Sequence, residues 1–207
     1  MSWCRPYTND MPPVATQDSA VLATSVALKE WGAAAVALLD GRQTVLVRKG
    51  GIHEKSFRVD RDRFVLFPTV AHSHRERVRP EHHDLLAAGA ADVDEAGGTI
   101  TVRCGVSLVD VVPVARPEGL ADIADLHIWT QDSVRADRLE FRPKHQLQVL
   151  VARAVQLPHP VTLPRLEAYA GCRSWVELPV AWDGSGRQVH AEDRLAANAR
   201  RVRAALG

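Results

Sequence analysis

The stretch WGAAAVALLDGRQTVLVRKGGIHEKSFRVDRDRFVLFPTVAH, residues 31–72, decides the fold. Trp31, Ala34, Ala35, Leu38 and Leu39 recur at the spacing of one helix face. Gly41 follows, where a left-handed residue suits a helix end. A hairpin through Asp40-Gly41 is the rival reading, and the run of alanines favours the helix. Gly32 weakens that helix or marks a break. Val45-Leu46-Val47 and Phe64-Val65-Leu66-Phe67 are continuous apolar runs suited to buried strands. The first delivers Arg48-Lys49-Gly50-Gly51, and the second delivers Pro68-Thr69 and then His72. Apolar strands with polar tips, marked by glycine or proline, are how a scaffold presents a site.

Toward the N-terminus, residues 1–17 carry three prolines and no periodicity, and they read as a tail. Asp18 or Ser19 can cap a helix through Val21, Leu22, Val26 and Leu28. Beyond the central stretch, Pro80 suits the first turn of a helix with Leu85 and Leu86 inward and Gly89 at its end. Residues 99–102 and 106–114 read as strands, with Gly105 as a bulge. Pro117 starts a short helix through Leu120, Ile123 and Leu126, and Thr130 caps another. Residues 147–157 share a strand that Pro158 and Pro160 end. Residues 175–178 form a last strand. Residues 191–206 form a helix with acidic residues early and arginines late, which matches its dipole.

These elements lack the regular alternation of a doubly wound sheet. The expectation is one α+β domain of five or six short strands. Its sheet is mixed or mainly antiparallel, with a PUA-like open β-barrel as one form of it and helices packed outside. The chain divides into a tail at 1–17, a globular domain at 18–182, and a linker with a C-terminal helix at 183–207.

The 207 residues carry a net charge of +1, so no global field draws in nucleic acid or an acidic membrane. An anion site must come from local clustering. Cys4, Cys104 and Cys172 are odd in number and far apart, which speaks against a disulfide framework or a cysteine zinc site. The same cysteines make a reducing cytoplasm the expected location. No run reaches spanning length, so no membrane partner is expected, and no cofactor is expected.

Arg48-Lys49-Gly50-Gly51 is the best anion candidate, because glycines let backbone amides approach a phosphate beside the two cations. A solvated turn accounts for the same residues. Thr69 and His72 can place a hydroxyl and an imidazole beside that cradle, or Pro68 and Thr69 can simply end a strand and cap a helix. Arg142-Pro143-Lys144-His145 adds a second basic tip before an apolar strand, although a charged loop reads the same way. His72, His74, His82 and His83 have unsuitable spacing for a facial metal pair and are read as solvated or structural. Trp129 and Trp175 are read as core residues before stacking platforms.

Several runs together carry a likeness. They are Leu28-Lys29-Glu30-Trp31, Arg48-Lys49-Gly50-Gly51-Ile52, Phe67-Pro68-Thr69 with His72, His127-Ile128-Trp129-Thr130, Arg142-Pro143-Lys144 and the run from Gly171 to Leu178. On them the chain resembles an uncharacterised bacterial family, domain of unknown function 1802. Val36 and Ser73 stand near positions where that pattern commonly carries an acidic residue and a glutamine. The resemblance implies no established activity. More narrowly, a helix followed by Gly41-x-x-Thr44-Val45-x-Val47-Arg48 is similar to the start of an ASCH domain, a PUA-like barrel associated with RNA binding.

The functional expectation is a module that binds RNA, DNA or a nucleotide-like anion. Its ligand-binding residues are Arg48, Lys49, Gly50, Gly51, Thr69, His72, Arg142 and Lys144, and no metal is expected. A metal-dependent phosphodiester hydrolase and a non-catalytic partner-binding protein are the alternatives. If Arg48 and Lys49 are exposed charges, replacing them should hardly change stability, since such charges contribute about 0–1 kcal/mol.

Overall fold

The computed structural model describes residues 24–49, 61–70, 74–141, 143–171 and 173–207. Among these residues, eight strands form one mixed sheet: β1 (Ser25–Trp31), β2 (Val45–Lys49), β3 (Arg63–Thr69), β4 (Val93–Asp94), β5 (Thr99–Pro113), β6 (Leu147–Pro164), β7 (Trp175–Leu178) and β8 (Arg187–Gln188). The order is β2-β6-β5-β3-β1-β7, with β4 on β5 and β8 on β6. Among the described residues, only β1 and β3 pair in parallel, and every other pairing is antiparallel. The α-helices are α1 (Gly32–Leu39), α2 (His74–Arg77), α3 (Asp84–Ala90), α4 (Gln131–Val134) and α5 (Glu192–Leu206). The protein is thus a single α+β domain whose sheet does not close into a barrel.

The sheet curls because β5 and β6 are long and irregular. Their ladder shifts register between Val102 and Cys104 and again between Leu108 and Asp110. Such bulges bend a strand and increase its twist. Leu28, Leu46, Leu66, Val106 and Leu150, from five strands, consequently meet in one buried cluster. β2 and β1 lie far apart in the strand order, yet both reach it. α1 joins them, adding Ala35 and Leu38 to this cluster and Ala33, Ala34 and Ala37 to a second. That second cluster covers the outer face of β2 and β6, where Val45, Val47, Val149 and Val151 pack with Ile123, Val202 and Leu206. A third joins Ala27, Val65, Phe67, Ile100, Val102 and Leu178.

Several expected elements are corrected. The run from Ser25 to Trp31 is a strand, not the end of a helix. Pairing with both β3 and β7 outweighs its helical propensity. Gly105 pairs in register with Val65 and Val155, so the bulge lies next to it. A Cβ there would stand 2.4 Å from the Trp182 ring, and this close approach is the reason for glycine. Pro158 and Pro160 do not end β6. It continues to Pro164, with Val161, Thr162 and Leu163 paired to β5. Gly89 lies inside α3, not after it. A Cβ on Gly32 would sit 2.3 Å from the Gly89 carbonyl oxygen, so both glycines serve the contact between α1 and α3. Gly41 takes φ +79 just past α1, as its place after the helix predicts.

Candidate functional site

Side chains along a strand alternate faces, so residues two apart share one. On the inner face of the curl, Leu28 is followed by Glu30 and Leu46 by Arg48, while Leu150 is preceded by Gln148. The lining therefore changes from leucine to charged and amide groups at one end. That end is the tip of β1, β2 and β3 and the start of β6, since Trp31 lies opposite Thr69 and Lys49 opposite Leu147.

Glu30 is 3% exposed and Arg48 is 12% exposed. An Arg48 Nη1 hydrogen is donated to Glu30 Oε2 at 3.1 Å. Glu30 Oε1 accepts from the Trp31 backbone N–H at 2.9 Å. The Thr69 hydroxyl donates to the Glu30 carbonyl at 3.0 Å, tying the tip of β3 to that of β1. Buried charges need such partners, because desolvation of each costs several kcal/mol.

Lys49 points the other way. Its ammonium donates to the carbonyls of Arg138 and Phe141 at 2.6 Å each and of Leu139 at 3.4 Å. These oxygens close the π-helical turn Arg135–Glu140, so Lys49 acts as a cationic C-terminal cap. The cap fixes Arg138, whose Nε donates to the Val47 carbonyl at 3.2 Å. Burial, then the nearby Arg48 guanidinium, lowers the Arg138 pKa, with Glu30 opposing. Burial, then Arg138, likewise lowers that of Lys49. Three cationic side chains thus gather at the tips. Next to them Arg77 forms a two-point ion pair with Asp137, at 2.6 and 3.3 Å, and lies 5.7 Å from the Trp31 ring centre.

Of the expected site residues, Arg48, Lys49 and Thr69 come together here, and Lys144 is exposed in the loop before β6. Gly50, Gly51, His72 and Arg142 lie outside the described residues. Arg48 and Lys49 are not exposed charges on a turn: one is partly buried against Glu30 and the other holds three carbonyls. Sequence reasoning does not reach Glu30 or Arg138. The available signal is Glu30 on the same strand face as Val26 and Leu28. Arg138 carries no local signal.

Trp129, Trp175 and His83 make contacts within the fold. Trp129 is buried and meets Trp31 edge-on at 5.0 Å, and Trp175 meets Phe64 at 5.1 Å. His83 Nε2 donates to the carbonyls of Val78 and Arg75. Among the described residues, no group of three or more His, Cys, Asp or Glu side chains is placed to hold a metal ion. No described helix is long and apolar enough to cross a membrane. The family model for a domain of unknown function (DUF1802) matches residues 27–201. None of the curated proteins matches the chain.

Proposed function

We propose that this chain, which belongs to the family described as domain of unknown function (DUF1802), binds a phosphate-bearing anion, nucleic acid or nucleotide-like, at its strand tips. One observation carries the reading: Arg48, Lys49 and Arg138 gather at one end of the curled sheet in a chain of net charge only +1. Gathering like charges opposes folding, and an anion between them lowers that cost. Arg138 is the best direct contact, since guanidinium matches two phosphate oxygens at once. Arg48 is steadied by Glu30, and Lys49 holds the turn that carries Arg138. Exposed Lys144 adds a long-range attraction at the same end. A reducing cytoplasm suits the scattered cysteines; Cys104 is buried, and burial pushes its thiol up to about 12, which makes it inert.

The test is a salt series of fluorescence anisotropy with single-stranded RNA and DNA. Binding should weaken as salt rises. Arg138→Ala should weaken it for all sequences and lower the salt slope by about one. A folded Arg138→Ala/Lys144→Ala protein that binds as wild type refutes the proposal. Turnover of the oligonucleotide with added divalent metal would replace binding by hydrolysis. Absence of any binding would leave a partner-binding protein.

A further inference from the structure

The cations at the strand tips are not all balanced by carboxylates. Glu30 meets Arg48 at 3.1 Å, and Asp137 meets Arg77 at 2.6 and 3.3 Å. These two carboxylates are the ones whose charge favours the charged form of Arg138, and both are engaged elsewhere. Arg138 itself donates from Nε to the Val47 carbonyl at 3.2 Å and from Nη1 to the Asp137 carbonyl at 3.4 Å. Lys49 donates to the carbonyls of Arg138, Leu139 and Phe141. Carbonyl oxygens accept hydrogens but carry no net charge. Among the described residues, Lys49 and Arg138 are therefore left without a carboxylate partner. Burial first, and then repulsion from a neighbouring cation, lowers the pKa of each. Both side chains are half-buried, so part of each still reaches solvent.

We propose that the site takes a terminal phosphate, the doubly charged monoester end of a nucleotide or oligonucleotide, in preference to the singly charged diester inside a strand. The inference deepens the anion reading and rests on it. A phosphomonoester carries a charge of about −1.5 to −2 near pH 7 and offers three acceptor oxygens. It answers both Lys49 and Arg138, whereas a diester leaves one of them without a counter-charge. In a partly desolvated place an unanswered charge is costly. Three oxygens also suit a guanidinium fork together with a second donor. The shape of the tip agrees. Behind Arg48, Leu28, Leu46 and Leu150 fill the inside of the curl. A packed interior admits no chain, so the tip is a blind end that a terminus can enter and a continuous strand cannot thread.

The experiment follows the fluorescence anisotropy of one short, internally labelled single-stranded RNA with the full-length protein. The RNA carries a 5′-phosphate, a 3′-phosphate, or hydroxyls at both ends. A phosphorylated form should bind more tightly than the hydroxyl form by about tenfold or more, the worth of one hydrogen bond between charged groups. Arg138→Gln should shrink that ratio toward one, and a folded variant that keeps the full preference overturns the inference. Should the variant fail to fold, calorimetric titration of the wild-type protein with phenyl phosphate and phenyl sulfate makes the same test. The two probes share a shape and differ by one charge, and the phosphate should bind about tenfold more tightly. Equal binding of the three RNA forms, or of the two esters, overturns the inference and leaves the anion reading in place. No binding of any RNA form or of phenyl phosphate removes both.

Discussion

Replacing Lys49 by methionine keeps the apolar stem and removes the ammonium. Two short bonds and one longer one to the carbonyls of Arg138, Phe141 and Leu139 are lost together. Hydrogen bonds to a charged group are worth about 1.5–3 kcal/mol each, and carbonyls that water can reach recover part of this. The contact with Phe141 is exposed, so the sum is best taken as about 3 kcal/mol. In a domain of this size that lowers Tm by about 6–12 °C in a calorimetric or circular-dichroism melt. Arginine should rescue only in part, since a flat fork cannot cap converging carbonyls as an ammonium does. Anion binding should fall too, because the turn that carries Arg138 loosens. A Tm within about 2 °C of wild type would refute the cap. If binding were lost at unchanged Tm, Lys49 would instead be a direct ligand contact.

Two further outcomes are open to direct measurement. His127, with its pKa lowered from 6.5 to about 4, binds a proton more readily when unfolded. Its contribution is therefore complete above about pH 6.5 and is lost as pH falls through 4, amounting to about 3 kcal/mol. Urea melts between pH 7 and pH 4 should show that loss, and a ring titrating near 6.5 by NMR would contradict it. Gly89→Ala should destabilise by about 3 kcal/mol or more, because its Cβ would meet backbone atoms of Gly32 and Ala33 at 2.3 Å and backbone cannot step aside. A wild-type urea midpoint would mean that α1 and α3 can separate without penalty.

Much of the architecture is local and so is written in the sequence. The Trp31–Leu39 spacing and Gly41 yield α1 and its end, the apolar runs yield β2, β3 and β7, and Thr130 accepts the Ser133 N–H as a cap does. These features follow from side-chain period and from hydrogen bonds within a few residues. The convergence of basic strand tips is also partly legible, since Arg48 and Lys49 directly follow an apolar run. What each tip residue touches is not. Arg48 faces Glu30 across 18 residues of chain, although β2 and β1 are not neighbours in the sheet, and Lys49 reaches a turn about 90 residues away because that turn leads into β6, which pairs with β2. Alternation alone cannot tell which face becomes the inside of the curled sheet. The same holds for the glycines: Gly89 resembles a helix terminator in one dimension and is a helix contact in three. Sequence determines local conformation here, whereas the pairing of charges and the identity of the buried face are decided by long-range packing, where burial makes each unpaired group costly.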